Sequence, residues 1–192
     1  LIGSGVLIAP DVVLTAGHVI DDPTPFMFRI NGEDVLIKQT IVHPRYSNGW
    51  GIHNDIGLII LECEVDVILA ELHNEGRIAQ YSPLITIGFG EGYKRQSLPG
   101  TFFYYGTLMR DPTQMKFLPL KDTIWFGDSG GAVYGIVNGE FVLVGIMSSF
   151  SFTHDDIFEN SATKVSFYYN WIIEEVLKNE IGEIDKTTED GG

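Results

Sequence analysis

The chain has 192 residues and a formal net charge of −14, with 44% hydrophobic and 20% charged residues. This composition is that of a globular chain able to bury a substantial core, and it excludes a disordered one. The negative charge argues against nucleic-acid binding, and no apolar run reaches the roughly 18–20 residues of a membrane span. The chain begins at Leu1 without a methionine or a signal-like segment, which predicts a mature or trimmed form.

Short runs rich in Val, Ile, Phe, Tyr and Thr follow one another along the chain, separated by Pro, Gly, Asn and Asp. Such runs are typical of β-strands, and an Asn138-Gly139 pair between two of them predicts a hairpin. The predicted strands are 5–8, 12–15, 26–30, 35–40, 56–61, 82–89, 101–109, 132–136, 141–148 and 162–165. Because no helices alternate with them, the pattern predicts an all-β sandwich or barrel pair.

The end of the chain has a different pattern. Residues 167–181 place apolar and polar side chains near a helical period, with Glu174 four residues before Lys178, and they predict a packing helix. Residues 182–192 are polar and acidic and predict a flexible tail.

One cysteine, Cys63, is present, so an internal disulfide is excluded. It ends the apolar run 58–63, which predicts a buried strand cysteine. The spare histidines His43, His53, His73 and His154 lack the spacing of metal ligands. The sequence therefore predicts no metal and no cofactor.

Three segments carry the groups that acyl transfer by a serine requires: a hydroxyl, a base, a carboxylate that orients the base, and donors for an oxyanion. Residues 125–131 (WFGDSGG) supply the Ser129 hydroxyl and two N–H donors, on Gly127 and Ser129. Residues 13–19 (VLTAGHV) lead a strand into His18, and residues 53–59 (HNDIGLI) place Asp55 before an apolar strand. Burying a carboxylate at the start of an apolar strand costs free energy unless the carboxylate has a hydrogen-bond partner. An imidazole N–H is a suitable partner. Taken singly, each segment could also be an ordinary turn or a structural histidine.

Together, in the order His–Asp–Ser, these segments resemble the trypsin/chymotrypsin-like serine proteases. Further matches are residues 3–8 (GSGVLI), 43–46 (HPRY), 87–90 (IGFG), and 163–165 (TKV) with 170–172 (NWI). Val19 and Trp125 stand where the family commonly has disulfide cysteines, so the chain resembles a disulfide-free branch that holds these loops by packing.

The resemblance implies two packed six-stranded antiparallel β-barrels, 1–78 and 79–166, with the C-terminal helix 167–181 and the tail 182–192. It implies a serine endopeptidase in which Ser129 is the nucleophile, His18 is the base and then the acid, and Asp55 orients His18. The N–H groups of Gly127 and Ser129 would form the oxyanion hole. The implied partner is a polypeptide substrate and the implied location is secreted or extracytoplasmic, while the oligomeric state stays open.

The resemblance also assigns a substrate pocket. Thr123, six residues before Ser129, matches the position that is Asp in trypsin-like specificity, so a basic P1 residue is not expected. Phe150 and Asn160 match wall positions that are small in enzymes taking large side chains, which predicts a shallow pocket for small or modest apolar P1 residues. Ser148 matches the strand that pairs with the substrate backbone and touches the buried aspartate.

The sequence leaves open the partner of one aspartate and two alternative functions. In many relatives a freed N-terminal amine pairs with the aspartate before the serine, here Asp128, and its partner in this chain is undecided. A catalytically silent homologue that serves as a binding or adhesion module competes with the peptidase, favoured by the bulky pocket residues. A chaperone-like housekeeping protease is a third reading, which residues 3–8 and 18–19 also resemble.

Overall fold

A computed structural model describes residues 3–22, 27–49, 52–74, 78–90, 95–96, 102–108, 111–119, 124–152 and 158–189. The elements of the first part are β1 (Val6–Ala9), β2 (Val12–Thr15), α1 (Gly17–Ile20), β3 (Phe28–Ile30), β4 (Glu33–Val35), β5 (Ile37–Val42), β6 (Ser47–Asn48), β7 (Ile52–His53) and β8 (Gly57–Leu61). Those of the second part are β9 (Pro83–Gly88), β10 (Arg95–Gln96), β11 (Phe102–Leu108), β12 (Asp111–Pro119), β13 (Ala132–Val137), β14 (Glu140–Phe152), β15 (Phe158–Lys164) and α2 (Val165–Glu189).

The first part forms an antiparallel sheet in the order β1-β2-β8-β5, together with the small pairs β3–β4 and β6–β7. Every residue of β2 and β8 is buried, because both strands consist almost wholly of Val, Leu and Ile and lie in the middle of this sheet. These central strands carry the segments that lead into His18 and away from Asp55.

In the second part the strands β9, β11, β12, β15, β14 and β13 pair in that order, and β9 also pairs with β13. The pairings of these strands therefore close on themselves, and β10 lies against β9. The predicted all-β fold, followed by a C-terminal helix, is confirmed. Both sheets fall inside the predicted lobes 1–78 and 79–166, whose boundary stays a prediction.

Two hairpins turn on Asn-Gly pairs, and both residues of each pair have positive φ. The values are 51° and 90° at Asn31 and Gly32, and 53° and 90° at Asn138 and Gly139. This combination is the type I′ turn that matches the twist of the flanking strands. The hairpin predicted around Asn138-Gly139 is confirmed as β13 and β14.

A shared core connects the two sheets to the C-terminal helix. One buried cluster contains Leu58 of β8, Ile146 of β14 and Tyr168 and Ile172 of α2. Because this cluster is continuous, β8, β14 and α2 pack against one another in a common core. None of the helices in the described chain combines the length and the hydropathy of a bilayer-spanning segment.

The structure differs from the sequence-based expectation in three places. Strand β12 had no counterpart in the prediction, because Pro112, Pro119 and several polar residues hide an alternation in which Met115 and Phe117 are buried. Helix α2 begins at Val165 and continues to Glu189, so residues 182–189 are helical although a tail was predicted there. A lone Gly182 costs a helix only about 1 kcal/mol and does not end it. Finally, β8 ends at Leu61 and Cys63 is exposed, not buried.

Candidate active site

His18 and Asp55 form a hydrogen-bonded pair at adjacent strand ends. The register Thr15↔Gly57 between β2 and β8 brings the residues after β2 next to those before β8. His18 Nδ1 lies 2.8 Å from Asp55 Oδ2, and the main-chain N–H of His18 donates to Oδ1 at 2.8 Å. Asp55 is fully buried, while the His18 side chain is 21% exposed. An imidazole that donates through Nδ1 has Nε2 available as a proton acceptor.

Two further hydroxyl groups donate to the buried Asp55, one to its carboxylate and one to its main-chain oxygen. Ser148 Oγ donates to Asp55 Oδ2 at 2.6 Å, as expected from the resemblance. Thr163 Oγ1 donates to the main-chain oxygen of Asp55 at 2.8 Å and accepts from Gln114 Nε2 at 2.9 Å. Buried polar groups need hydrogen-bond partners, and both carboxylate oxygens of Asp55 have them, from His18 and Ser148, while Thr163 holds the main chain of Asp55.

The loop of Ser129 packs against the segment that leads into His18. The main-chain N–H of Ser4 donates to the Ser129 carbonyl at 2.7 Å, and the N–H of Gly130 donates to the Met147 carbonyl at 2.8 Å. Gly130 has a φ of 84°, and a Cβ placed there would overlap the Ser4 carbonyl and Thr15 Oγ1. Only glycine allows this approach. Among the described residues Ser129 is held through its main chain, and its hydroxyl makes no hydrogen bond with them.

A tight turn precedes Ser129. The N–H of Asp128 donates to the Trp125 carbonyl at 3.0 Å, and Gly127 adopts a φ of 93°, as the third residue of a type II turn does. The N–H groups of Gly127 and Ser129 donate to no residue in the described part of the chain. Within the described residues, these two main-chain donors, one on Ser129 and one two residues before it, therefore have no hydrogen-bond acceptor.

Asp128, whose partner was undecided from the sequence, is buried against the 88–90 segment. Its Oδ1 accepts from the N–H of Gly90 at 2.7 Å, and its Oδ2 accepts from the N–H of Trp125 at 2.8 Å. A Cβ on Gly88 would lie 2.5 Å from Oδ1, and one on Gly90 would lie 2.8 Å from it. Both glycines are therefore required for the carboxylate to reach these main-chain donors.

Comparison with known proteins identifies the family of the chain. Residues 1–172 match the family model described as Trypsin. The chain belongs to the trypsin family. It is also similar to chymotrypsin-like elastase family member 1 of Macaca fascicularis, with 26% identity over 209 aligned positions that cover 91% of this chain and 79% of that protein.

Of the three pocket positions that the resemblance assigns, the structure describes Phe150 and Asn160. Phe150 is half-buried, and its ring stacks on Trp125 at 5.7 Å with an interplanar angle of 17°. Phe126 meets both rings edge-on and is 71% exposed. Asn160 pairs with Phe150 across β14 and β15 and is fully buried. Thr123 lies outside the described residues. Trp125 thus packs where the family commonly has a cysteine.

A second histidine–aspartate pair lies beside the first. His53 Nδ1 is 2.9 Å from Asp111 Oδ2, and this contact joins the loop before Asp55 to β12. Burial alone would raise the pKa of Asp111, but hydrogen bonds from Thr113 and His53 outweigh burial and lower it. Sequence reasoning did not find this pair, because its residues lie 58 positions apart.

Proposed function

We propose that this chain is a serine endopeptidase with His18, Asp55 and Ser129 as its catalytic triad. The observation that supports it best is the buried Asp55 paired with His18 Nδ1, which leaves Nε2 available to take a proton from the serine. The Ser129 loop packs on the segment that ends in His18, which supports the serine as nucleophile. Catalytic hydrogen bonds are often absent before substrate binds, so an unengaged hydroxyl is compatible with this role.

In the proposed reaction Ser129 Oγ attacks the scissile carbonyl carbon while its proton passes to His18 Nε2. The N–H groups of Gly127 and Ser129 receive the oxyanion, and Asp55 stabilises the imidazolium. The imidazolium then gives its proton to the leaving amine as the C–N bond breaks, and an acyl-enzyme remains. Water attacks that ester, its proton passes through His18 to Ser129 Oγ, and the carboxylic acid product leaves.

For the substrate we propose polypeptides with a small or modest apolar residue at P1. The resemblance assigns Phe150 to the wall of the S1 pocket, where its bulk and its stacking on Trp125 would narrow the pocket, and a small S1 pocket is the elastase type of specificity. The name of the macaque relative places it among elastases, in line with this choice. A secreted or extracytoplasmic location stays a prediction.

The test is hydrolysis of a peptide library by the wild type and by Ser129→Ala, His18→Ala and Ser166→Ala. Ser166 lies on α2 outside the proposed site and serves as the matched control. We expect cleavage after small apolar residues by the wild type and the control, and a loss of about 10⁴-fold or more in the two triad variants. Cleavage after Arg or Lys would contradict the proposed P1 preference.

A binding module without catalytic activity is the second candidate, and the exposed Phe126 beside the serine loop is the observation that favours it. The same library separates the two. A folded wild type that cleaves no more than Ser129→Ala would support the binding module and overturn the peptidase.

A further inference from the structure

Ser4 makes a hydrogen bond through each of its polar groups, and together these bonds join the loops of the candidate site. Ser4 is buried, with a residue exposure of 6%. The hydroxyl donates to the Gly127 carbonyl at 2.8 Å and accepts from the N–H of Phe89 at 2.8 Å. The main-chain N–H donates to the Ser129 carbonyl at 2.7 Å, and the carbonyl accepts from Thr15 Oγ1 at 2.8 Å.

These bonds involve the two residues that carry the proposed oxyanion donors. Gly127 and Ser129 each offer a carbonyl to Ser4, while their N–H groups remain unused within the described chain. Because the Gly127 carbonyl is held by a side chain, its anchor depends on the identity of residue 4. The Ser129 carbonyl is held by a main-chain donor and would keep its anchor in most variants. A substitution of Ser4 should therefore release the residue that carries the Gly127 donor and leave the residue that carries the Ser129 donor in place.

We propose that Ser4 is a positioning residue for the oxyanion hole and that its hydroxyl holds the Gly127 donor in place. The inference rests on the proposed peptidase function. The hydroxyl is a connecting group between Gly127 and the Phe89 N–H, next to the Gly90 N–H that binds Asp128. Two side chains, those of Ser4 and Asp128, thus connect the turn that carries Gly127 to the residues that follow β9. Oxyanion stabilisation depends on donors held in advance at the right distance, so looser anchoring should slow the chemical step.

Replacing Ser4 by alanine removes one oxygen and keeps the main-chain bonds of residue 4. The Gly127 carbonyl and the Phe89 N–H then lose a buried partner. We expect kcat to fall about tenfold, which corresponds to about 1.4 kcal/mol in the barrier, while KM changes less than about twofold. A split of this kind marks an interaction that is stronger in the transition state than in the bound substrate.

The assay uses the best peptide from the library and a peptide aldehyde of the same sequence. The aldehyde adds reversibly to Ser129 Oγ and forms a hemiacetal whose oxygen can occupy the oxyanion position. Its affinity should fall about tenfold in Ser4→Ala. Ser4→Thr retains a hydroxyl and should keep kcat within about threefold of the wild type. Rates are divided by the folded fraction from circular dichroism, so that a destabilised variant still reports.

Thr113→Val is the matched control, because it also removes a buried hydroxyl with a short hydrogen bond, to Asp111 at 2.6 Å. It should lower stability without changing kcat or aldehyde affinity. Wild-type kcat and aldehyde affinity in Ser4→Ala would overturn the role of Ser4 and leave the triad intact. An equal loss of kcat in Thr113→Val would also overturn it. A folded wild type without hydrolysis would overturn the triad and this inference together.

Discussion

The hydrogen bond between Ser148 and Asp55 should account for a measurable part of the stability. Ser148 Oγ donates to a carboxylate oxygen at 2.6 Å, and both residues are buried. A hydrogen bond to a charged group contributes about 1.5–3 kcal/mol, so Ser148→Ala should lower the free energy of unfolding by that amount. For a chain of this size the loss corresponds to a fall in Tm of about 3–12 °C.

The neighbouring Ser149 supplies the control for this prediction. It is exposed, and its hydroxyl lies 2.8 Å from that of Ser161. Ser149→Ala removes a similar group from the same strand and should change stability by less than about 0.5 kcal/mol. Urea unfolding of the wild type and both variants at pH 7 gives the comparison. Equal stabilities of Ser148→Ala and Ser149→Ala would refute the view that the buried carboxylate depends on its donors.

Three more predictions follow from the same structure. In urea unfolding, Gly130→Ala should lower the free energy of unfolding clearly more than Gly139→Ala. Both glycines have positive φ, but only at Gly130 would an added Cβ overlap other atoms. Equal losses would contradict the packing of the serine loop. The pKa of Asp111 is lowered on folding, so its contribution to stability is present above its ordinary value of 3.8 and is lost as the pH falls below it. Unfolding between pH 5 and pH 2 should therefore show a smaller loss of stability in Asp111→Asn than in the wild type, and parallel profiles would argue against the hydrogen bonds from Thr113 and His53 that lower this pKa. Burial raises the pKa of Tyr46 to about 12, and its hydroxyl makes no hydrogen bond with a described residue. Tyr46→Phe should therefore leave Tm unchanged or raise it. A fall of several degrees would indicate that the hydroxyl has a hydrogen-bond partner.

The features that could be predicted from sequence are those written in short, local strings. Asn138-Gly139 predicts a hairpin because few residues other than Asn and Gly adopt positive φ readily. The segments around His18, Asp55 and Ser129 could be recognised because each combines a reactive side chain with the small or apolar neighbours that its place in the fold requires. The pairing of His18 with Asp55 could be expected for the same reason.

The features that could not be predicted depend on contacts between distant positions. Ser4 lies 123 residues from Gly127 and 85 from Phe89, and a lone serine between glycines carries no local signal of either contact. The contact of Gln114 with Thr163, behind Asp55, is likewise made only when β12 and β15 pair. Strand β12 was missed because its prolines and its buried polar residues Asp111, Thr113 and Gln114 hide the alternation that buries Met115 and Phe117. Trp125 could be read as the replacement of a cysteine, whereas its stacking on Phe150 required the fold.

The most direct test of the proposed nucleophile is labelling with a fluorophosphonate probe, followed by mass spectrometry of the intact chain and of its peptides. The account predicts one probe per chain, attached to Ser129, and no labelling in Ser129→Ala or His18→Ala under the same conditions. A folded wild-type chain that takes up no probe, or that carries it on another residue, would contradict the assembled triad.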